Sequence, residues 1–176
     1  MHAKVDYLVM GMSAETFWGG KDGGAEFVRF MGELSGNLGV TTGAAACEAV
    51  MKTFGVRRIG IITPYQEVGD QQVVEFFEQI GCEVMGIYRM ECESATSIAE
   101  LTGEDIKKAF RRVDGPDVEL LIQAGTNLCA GKAAAELEAE LGKPVVAINT
   151  ATVWHAYRTN GILDRVEGWG SLLEKH

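Results

Sequence analysis

The chain predicts an α/β fold built on parallel sheets, and three observations carry that expectation. Short apolar runs rich in β-branched residues, such as Ile59-Gly60-Ile61-Ile62-Thr63 and Leu121-Ile122-Gln123, end in small polar turns, as buried parallel strands do. Between such runs lie segments with apolar residues at i, i+3, i+4 and i+7, among them Val73, Phe76, Phe77 and Ile80, the period of an amphipathic helix. The two kinds alternate as β-α-α-β-α-β-α-β-α-β-α, the pattern of a parallel sheet with right-handed crossovers.

In chain order, Val5 to Gly11 predicts the first buried strand. Gly19-Gly20 and Gly23-Gly24 predict a loop after it. Phe27, Phe30, Met31 and Leu34 then predict an amphipathic helix closed near Gly36-Asn37. Thr41-Thr42 opens a second helix that carries Ala45, Ala46, Val50 and Phe54 and stops at Gly55; a threonine there caps a free N–H. The strand Ile59–Thr63 ends in Thr63-Pro64-Tyr65. A helix to Gly81 follows it, and then a strand from Cys82 to Arg89. Residues 91–102 are polar and predict irregular chain before a helix marked by Ile106, Phe110 and Val113. Val118–Gln123 is the next strand. Ala130–Leu141 is a helix with Gly142 at its stop position, Val145–Ile148 a strand and Ala151–Asn160 a helix. Val166, Trp169, Leu172 and Leu173 give a weaker terminal helical pattern.

Residues 56–150 hold four strands alternating with helices, enough for one flavodoxin-like lobe. Residues 1–55 hold one clear strand and two helices, a partial first lobe that residues 151–176 would help complete. No Pro- or Ser-rich linker separates the two.

The totals bound the function. The 176 residues are 47% hydrophobic with three prolines, and the net charge is −9. That balance argues against long disorder, and it disfavours nucleic acid and anionic membrane surfaces, which need a basic footprint. A small anionic ligand remains open, because backbone N–H groups bind a carboxylate whatever the net charge. Cys47, Cys82, Cys92 and Cys129 form no C-x-x-C pair, and no metal site is expected. The scattered cysteines suit reduced thiols, and no apolar run approaches membrane-spanning length, so a cytoplasmic protein is expected.

Chemistry concentrates at two turns, Gly11-Met12-Ser13-Ala14-Glu15-Thr16 and Gly125-Thr126-Asn127-Leu128. In open α/β sheets ligands bind at such strand ends. These turns, together with Val40-Thr41-Thr42, Gly55-Val56-Arg57-Arg58-Ile59, Thr63-Pro64-Tyr65, Leu141-Gly142-Lys143-Pro144-Val145, Asn149, Trp154 and Arg158, resemble the aspartate/glutamate racemase superfamily. Within it they are most similar to the arylmalonate decarboxylase and maleate cis-trans isomerase branch.

The resemblance implies two α/β lobes with a site in the cleft between them, no cofactor, and a small (di)carboxylic acid as ligand. It implies that the carboxylate is held by Ser13, Thr42, Tyr65, Asn149 and the Gly125-Thr126-Asn127 turn, and it leaves room for a homo-oligomer. Abstracting a proton or CO₂ beside a carboxylate builds an enediolate that oriented O–H and N–H donors stabilise. In the family one or two cysteines act at the reacting carbon. Here the first cysteine position falls on Met12 and the second on Gly125, and the spacing from Gly125 to Leu141-Gly142-Lys143-Pro144 matches without a gap.

Glu15 is the carboxylate available as a replacement base, although a loop glutamate is ordinarily solvated. Cys129 lies one helical turn beyond Gly125 and is expected to be a small packing residue, and His155 is expected to be structural or half-exposed. The resemblance also implies further elements ahead of the strand matching Val5–Gly11. The first lobe is therefore expected to be truncated, or its free sheet edge covered by a partner. Two functions stay open: a cofactor-independent isomerase, racemase or decarboxylase, and a homologue that binds a carboxylate without turning it over.

Overall fold

The structure, a computed structural model, describes residues 4–176. Among the described residues six parallel strands lie in two sheets: β1 (Tyr7–Val9) beside β2 (Gly39–Thr41), and a four-stranded sheet in the order β4-β3-β5-β6. The latter comprises β3 (Arg58–Thr63), β4 (Glu83–Arg89), β5 (Leu120–Gln123) and β6 (Val145–Ala147). Counted within that sheet the order is 2-1-3-4, the flavodoxin-like arrangement, and its switch point lies between β3 and β5.

Strand periodicity divides the core into two layers. Ile59, Ile61, Leu120, Ile122 and Val146 face α3 (Gly43–Phe54), α4 (Glu67–Gln79) and α8 (Ile148–Thr159). Ile62, Leu121, Val145 and Ala147 face α6 (Gly103–Val113) and α7 (Gly131–Leu141). Burying each such side chain contributes roughly 1.5–3 kcal/mol. Phe17 joins the first layer edge-on to Phe76, 5.2 Å between centroids, so the N-terminal segment shares a core with the four-stranded sheet.

Four expectations are corrected. The glycine-rich segment is not a loop: α2 runs Gly20–Ser35. Its glycines permit close approach rather than a bend, since a Cβ on Gly23 would lie 2.1 Å from the Trp18 carbonyl oxygen. The face predicted to be buried on that helix is partly open, with Phe30 53% and Leu34 67% exposed; the small sheet beside it has two strands among the described residues. Residues Gly39–Thr41, read only as the approach to a helix, form β2. The stretch 91–102 contains a short helix, α5 (Ala95–Ala99), closed by a reciprocal Ser94–Ser97 capping box. Two further helices are α1 (Ala14–Phe17) and α9 (Ser171–Lys175). Among the described residues no helix is long and apolar enough to cross a membrane.

Candidate active site

The turn after β1, the β3–α4 loop and the β5–α7 loop converge at the switch point of the larger sheet. Ser13 sits just before α1, and its carbonyl accepts from Thr16 Oγ1 at 2.7 Å. Thr16 Oγ1 in turn accepts the Ala44 N–H of α3 at 3.2 Å, so the serine is pinned from behind. From the second loop Tyr65 brings its hydroxyl to 2.7 Å from Ser13 Oγ. From the third, the Thr126 N–H donates to the same Ser13 oxygen at 3.1 Å.

Around them lies a cavity of about 150 Å³ lined by Met12, Ser13, Glu15, Tyr65, Gly125 and Asn127, with Pro64 and Ile98 among the rest. Proton counting shows what it offers. Ser13 and Tyr65 carry one hydroxyl proton each, and their mutual bond uses one, leaving one to donate. The N–H groups of Gly125 and Asn127 have no acceptor among the described residues. Burial raises the Tyr65 phenol to about 12 against the lowering effect of the Ser13 bond, with Glu15 adding to the rise. The phenol is therefore a proton donor at neutral pH.

The loop carrying Gly125 is built for close packing. Gly125 has φ +137, and a Cβ there would stand 2.5 Å from both Cγ and Cδ of Pro64. Gln123, fully buried, donates from Nε2 to the Gly125 carbonyl at 2.7 Å, and its Oε1 accepts the Ile148 N–H at 3.4 Å. Asn149 donates from Nδ2 to the Thr126 carbonyl at 2.9 Å. It does so from the first turn of α8 and not from a strand end, so it orients the loop from outside the cavity.

Thr42 is displaced from its expected place. Its Oγ1 accepts the Ala45 N–H and caps α3, it is 1% exposed, and it does not line the cavity. The capping geometry that made it a helix start turns the hydroxyl oxygen toward the α3 backbone. Glu15 reaches the cavity but is exposed to solvent. Met12 also lines the cavity and is 51% exposed.

Cys129 is exposed and not packed, although its neighbours Leu128 and Ala130 are buried. Cys47 and Cys82 are buried and Cys92 half-buried. His155 lies away from the cavity with Nδ1 3.0 Å from Thr41 Oγ1, and burial holds its pKa below the usual histidine value.

Three contributors escape a reading of the sequence alone: Gln123, Ile98 and Asp70. The fully buried Asp70 accepts a short hydrogen bond from Thr63 Oγ1 at the root of the Tyr65 loop. Arg89 Nε stands 3.1 Å from Asp70 Oδ2 but out of line for a hydrogen bond, so the pair attracts through charge alone. Asp70 does carry a signal, an acid on the apolar face of α4 one turn before Val73.

With this geometry in place, residues 4–173 match the family model described as arylmalonate decarboxylase. The chain belongs to the arylmalonate decarboxylase family.

Its relatives include the maleate isomerase of Alcaligenes faecalis, 26% identical over 136 residues that make up 76% of this chain and 53% of that protein. The chain spans about half the length of the curated relatives it matches. Among solved structures it superposes with TM-score 0.91 on a cysteine-to-serine mutant of Nocardia farcinica maleate cis-trans isomerase carrying a covalently bound succinylcysteine intermediate. That pair is 21% identical over 97% of this chain and 72% of the other. A glycine-to-cysteine, cysteine-to-serine mutant of arylmalonate decarboxylase in liganded form also gives 0.91, with 22% identity over 98% and 74% of the two chains. At these identities the structural likeness establishes the shared α/β fold, with its parallel flavodoxin-like sheet.

Proposed function

We propose that the cavity between Ser13, Tyr65 and Gly125-Thr126-Asn127 binds a carboxylate of a small mono- or dicarboxylic acid. We further propose that the protein is a cofactor-independent enzyme of isomerase, racemase or decarboxylase type acting at the carbon beside that carboxylate. The observation that carries the reading is the convergence on one serine oxygen of a phenol and a backbone amide from two other loops.

When a C–H or C–CO₂⁻ bond next to the carboxylate breaks, its electron pair moves into the carboxylate as an enediolate. The spare hydroxyl proton and the Gly125 and Asn127 N–H groups are placed to stabilise that charge. Glu15 is the carboxylate on the cavity wall that can take the proton from carbon and return it.

One observation favours a second reading, a homologue that holds the carboxylate without turnover. Gly125 and Pro64 pack so closely that the site has no space for a side chain at the family's second cysteine position. Incubating the protein with maleate, substituted malonates and aspartate in D₂O separates the two. Deuterium incorporation, isomerisation or CO₂ release, lost in Glu15→Gln, supports the enzyme. Ligands that raise the melting temperature while no bond changes leave only the binding protein.

A further inference from the structure

A second, larger cavity of about 520 Å³ lies on the far side of the β5–α7 loop, between the first turn of α7, one side of α8 and the segment before α9. Its wall is apolar, made by Val153, Tyr157, Val166, Trp169 and Leu173. One end is polar and its donors are unused. α7 begins after Ala130 with no side-chain cap and no acid in its first turn. The N–H groups of Gly131, Lys132 and Ala133 have no acceptor among the described residues. By contrast Thr42, Ser94 and Thr102 cap α3, α5 and α6.

A separate observation points to the same place. Thr150 is 7% exposed, lines this cavity, and has its Oγ1 3.5 Å from where a Cβ on Gly131 would stand. Thr150 stands in the first turn of α8, so no helical carbonyl lies one turn back to take its proton, as the Ile148 carbonyl takes that of Thr152 at 2.8 Å. Thr150 Oγ1 makes no side-chain hydrogen bond among the described residues, and Thr150 lines the cavity.

Lys132 stands at the rim with Nζ 4.2 Å from the centre of the Trp169 ring, donating to the Gly168 carbonyl at 2.7 Å. None of the ion pairs among the described residues includes Lys132. A cation in the first turn of a helix opposes the helix dipole, and a bound anion reverses that. A roomy apolar cleft with a few converging polar groups is the usual form of a small-molecule site.

We propose that this cavity binds an amphipathic monocarboxylate. Its carboxylate is received by the free N–H groups of α7, the Thr150 hydroxyl and Lys132, and its aliphatic or aryl body lies along Trp169, Val153 and Tyr157. The site is separate from the smaller pocket and does not rest on the function assigned to it.

Cys129 is exposed on the wall of this cavity and serves as a local reporter. Its alkylation by iodoacetamide, read by peptide mass spectrometry with Cys92 as the internal control, is followed while octanoate, octylammonium, 1-octanol or succinate is titrated. Octanoate is expected to protect Cys129 saturably, and the other three to protect weakly or not at all. Thr150→Val, which keeps shape and removes the donor, should raise the half-protecting concentration about tenfold, as losing a hydrogen bond to a charged group does. Val153→Glu should abolish protection. No protection of the wild-type chain by octanoate overturns the site. Equal protection by 1-octanol, octylammonium or succinate, or a Thr150→Val variant that binds as before, overturns the recognition of an amphipathic carboxylate.

Discussion

The hydroxyls of Ser13 and Tyr65 lie 2.7 Å apart although 52 positions separate the residues in the chain. The same serine takes an amide proton from Thr126, 113 positions away. One side chain thus ties the turn after β1 to the ends of β3 and β5, and the proposed carboxylate site depends on that knot.

Tyr65→Phe removes the phenol while leaving the Ser13–Thr126 bond in place. Affinity for a bound carboxylate such as maleate should fall about tenfold, the loss of a hydrogen bond to a charged group, with little change in melting temperature. Because burial raises the phenol to about 12, wild-type affinity should stay level from pH 8 to 10. Calorimetry across that range checks both points, and a fall through pH 10 contradicts the assignment.

Ser13→Ala removes the acceptor of the Thr126 N–H from a position that is 2% exposed. An unpartnered polar group in such a place costs about 1–3 kcal/mol, so urea unfolding should shift to lower concentration. Carboxylate binding should weaken at the same time, because the loops lose their common anchor.

Gly125→Cys and Met12→Cys put thiols where the sequence resemblance expects the family's cysteines, with opposite costs. A side chain at Gly125 meets Pro64 at 2.5 Å in a backbone conformation suited to glycine, so the variant should lose roughly 1–3 kcal/mol of stability. Met12 is 51% exposed, and Met12→Cys should unfold with the wild type. Thermal unfolding of the two variants side by side decides it.

Asp70→Asn tests the buried charge behind the Tyr65 loop. Burial raises this carboxyl from 3.8 to about 6, against the opposing Thr63 hydrogen bond and Arg89 charge. The folded state therefore keeps a proton that the unfolded chain releases. The contribution of this group to stability is largest below pH 3.8, declines as pH rises through 3.8 to 6, and is smallest above 6. The difference in denaturation midpoint between wild type and Asp70→Asn should fall between pH 4 and 6.5. A difference that stays level contradicts the raised pKa.

Much of the fold was legible because period and punctuation agree over residues 56–150: apolar strands ending in turn residues, helices of the right period, and glycine at their stops. Residues 14–41 were less legible. Glycine signals a break by its conformational freedom, but here Gly23 lies within α2 and is glycine because the Trp18 carbonyl comes too close for a Cβ. That is a tertiary fact with no local trace. The strand Gly39–Thr41 was hidden by its brevity and by Thr41-Thr42, which carry a helix-start signal that is correct for Thr42 alone.

Ser13, Tyr65, Gly125, Thr126 and Asn127 meet as the turns suggest, because strand-end loops in this topology share one end of the sheet. Asn149 and Thr42 fall outside the cavity, Asn149 holding the Thr126 carbonyl from α8 and Thr42 capping its own helix. Gln123 and Asp70 were missed because a buried polar side chain looks like any other until its partners are placed.

The most direct measurement follows backbone amides by ¹H–¹⁵N NMR while maleate or a substituted malonate is titrated into the protein. A carboxylate held at this turn gives saturable shifts at Gly125, Thr126 and Asn127, abolished in Ser13→Ala and sharply weakened in Tyr65→Phe. Unshifted amides at this turn, or shifts that persist unchanged in both variants, would contradict a carboxylate site built on Ser13 and Tyr65.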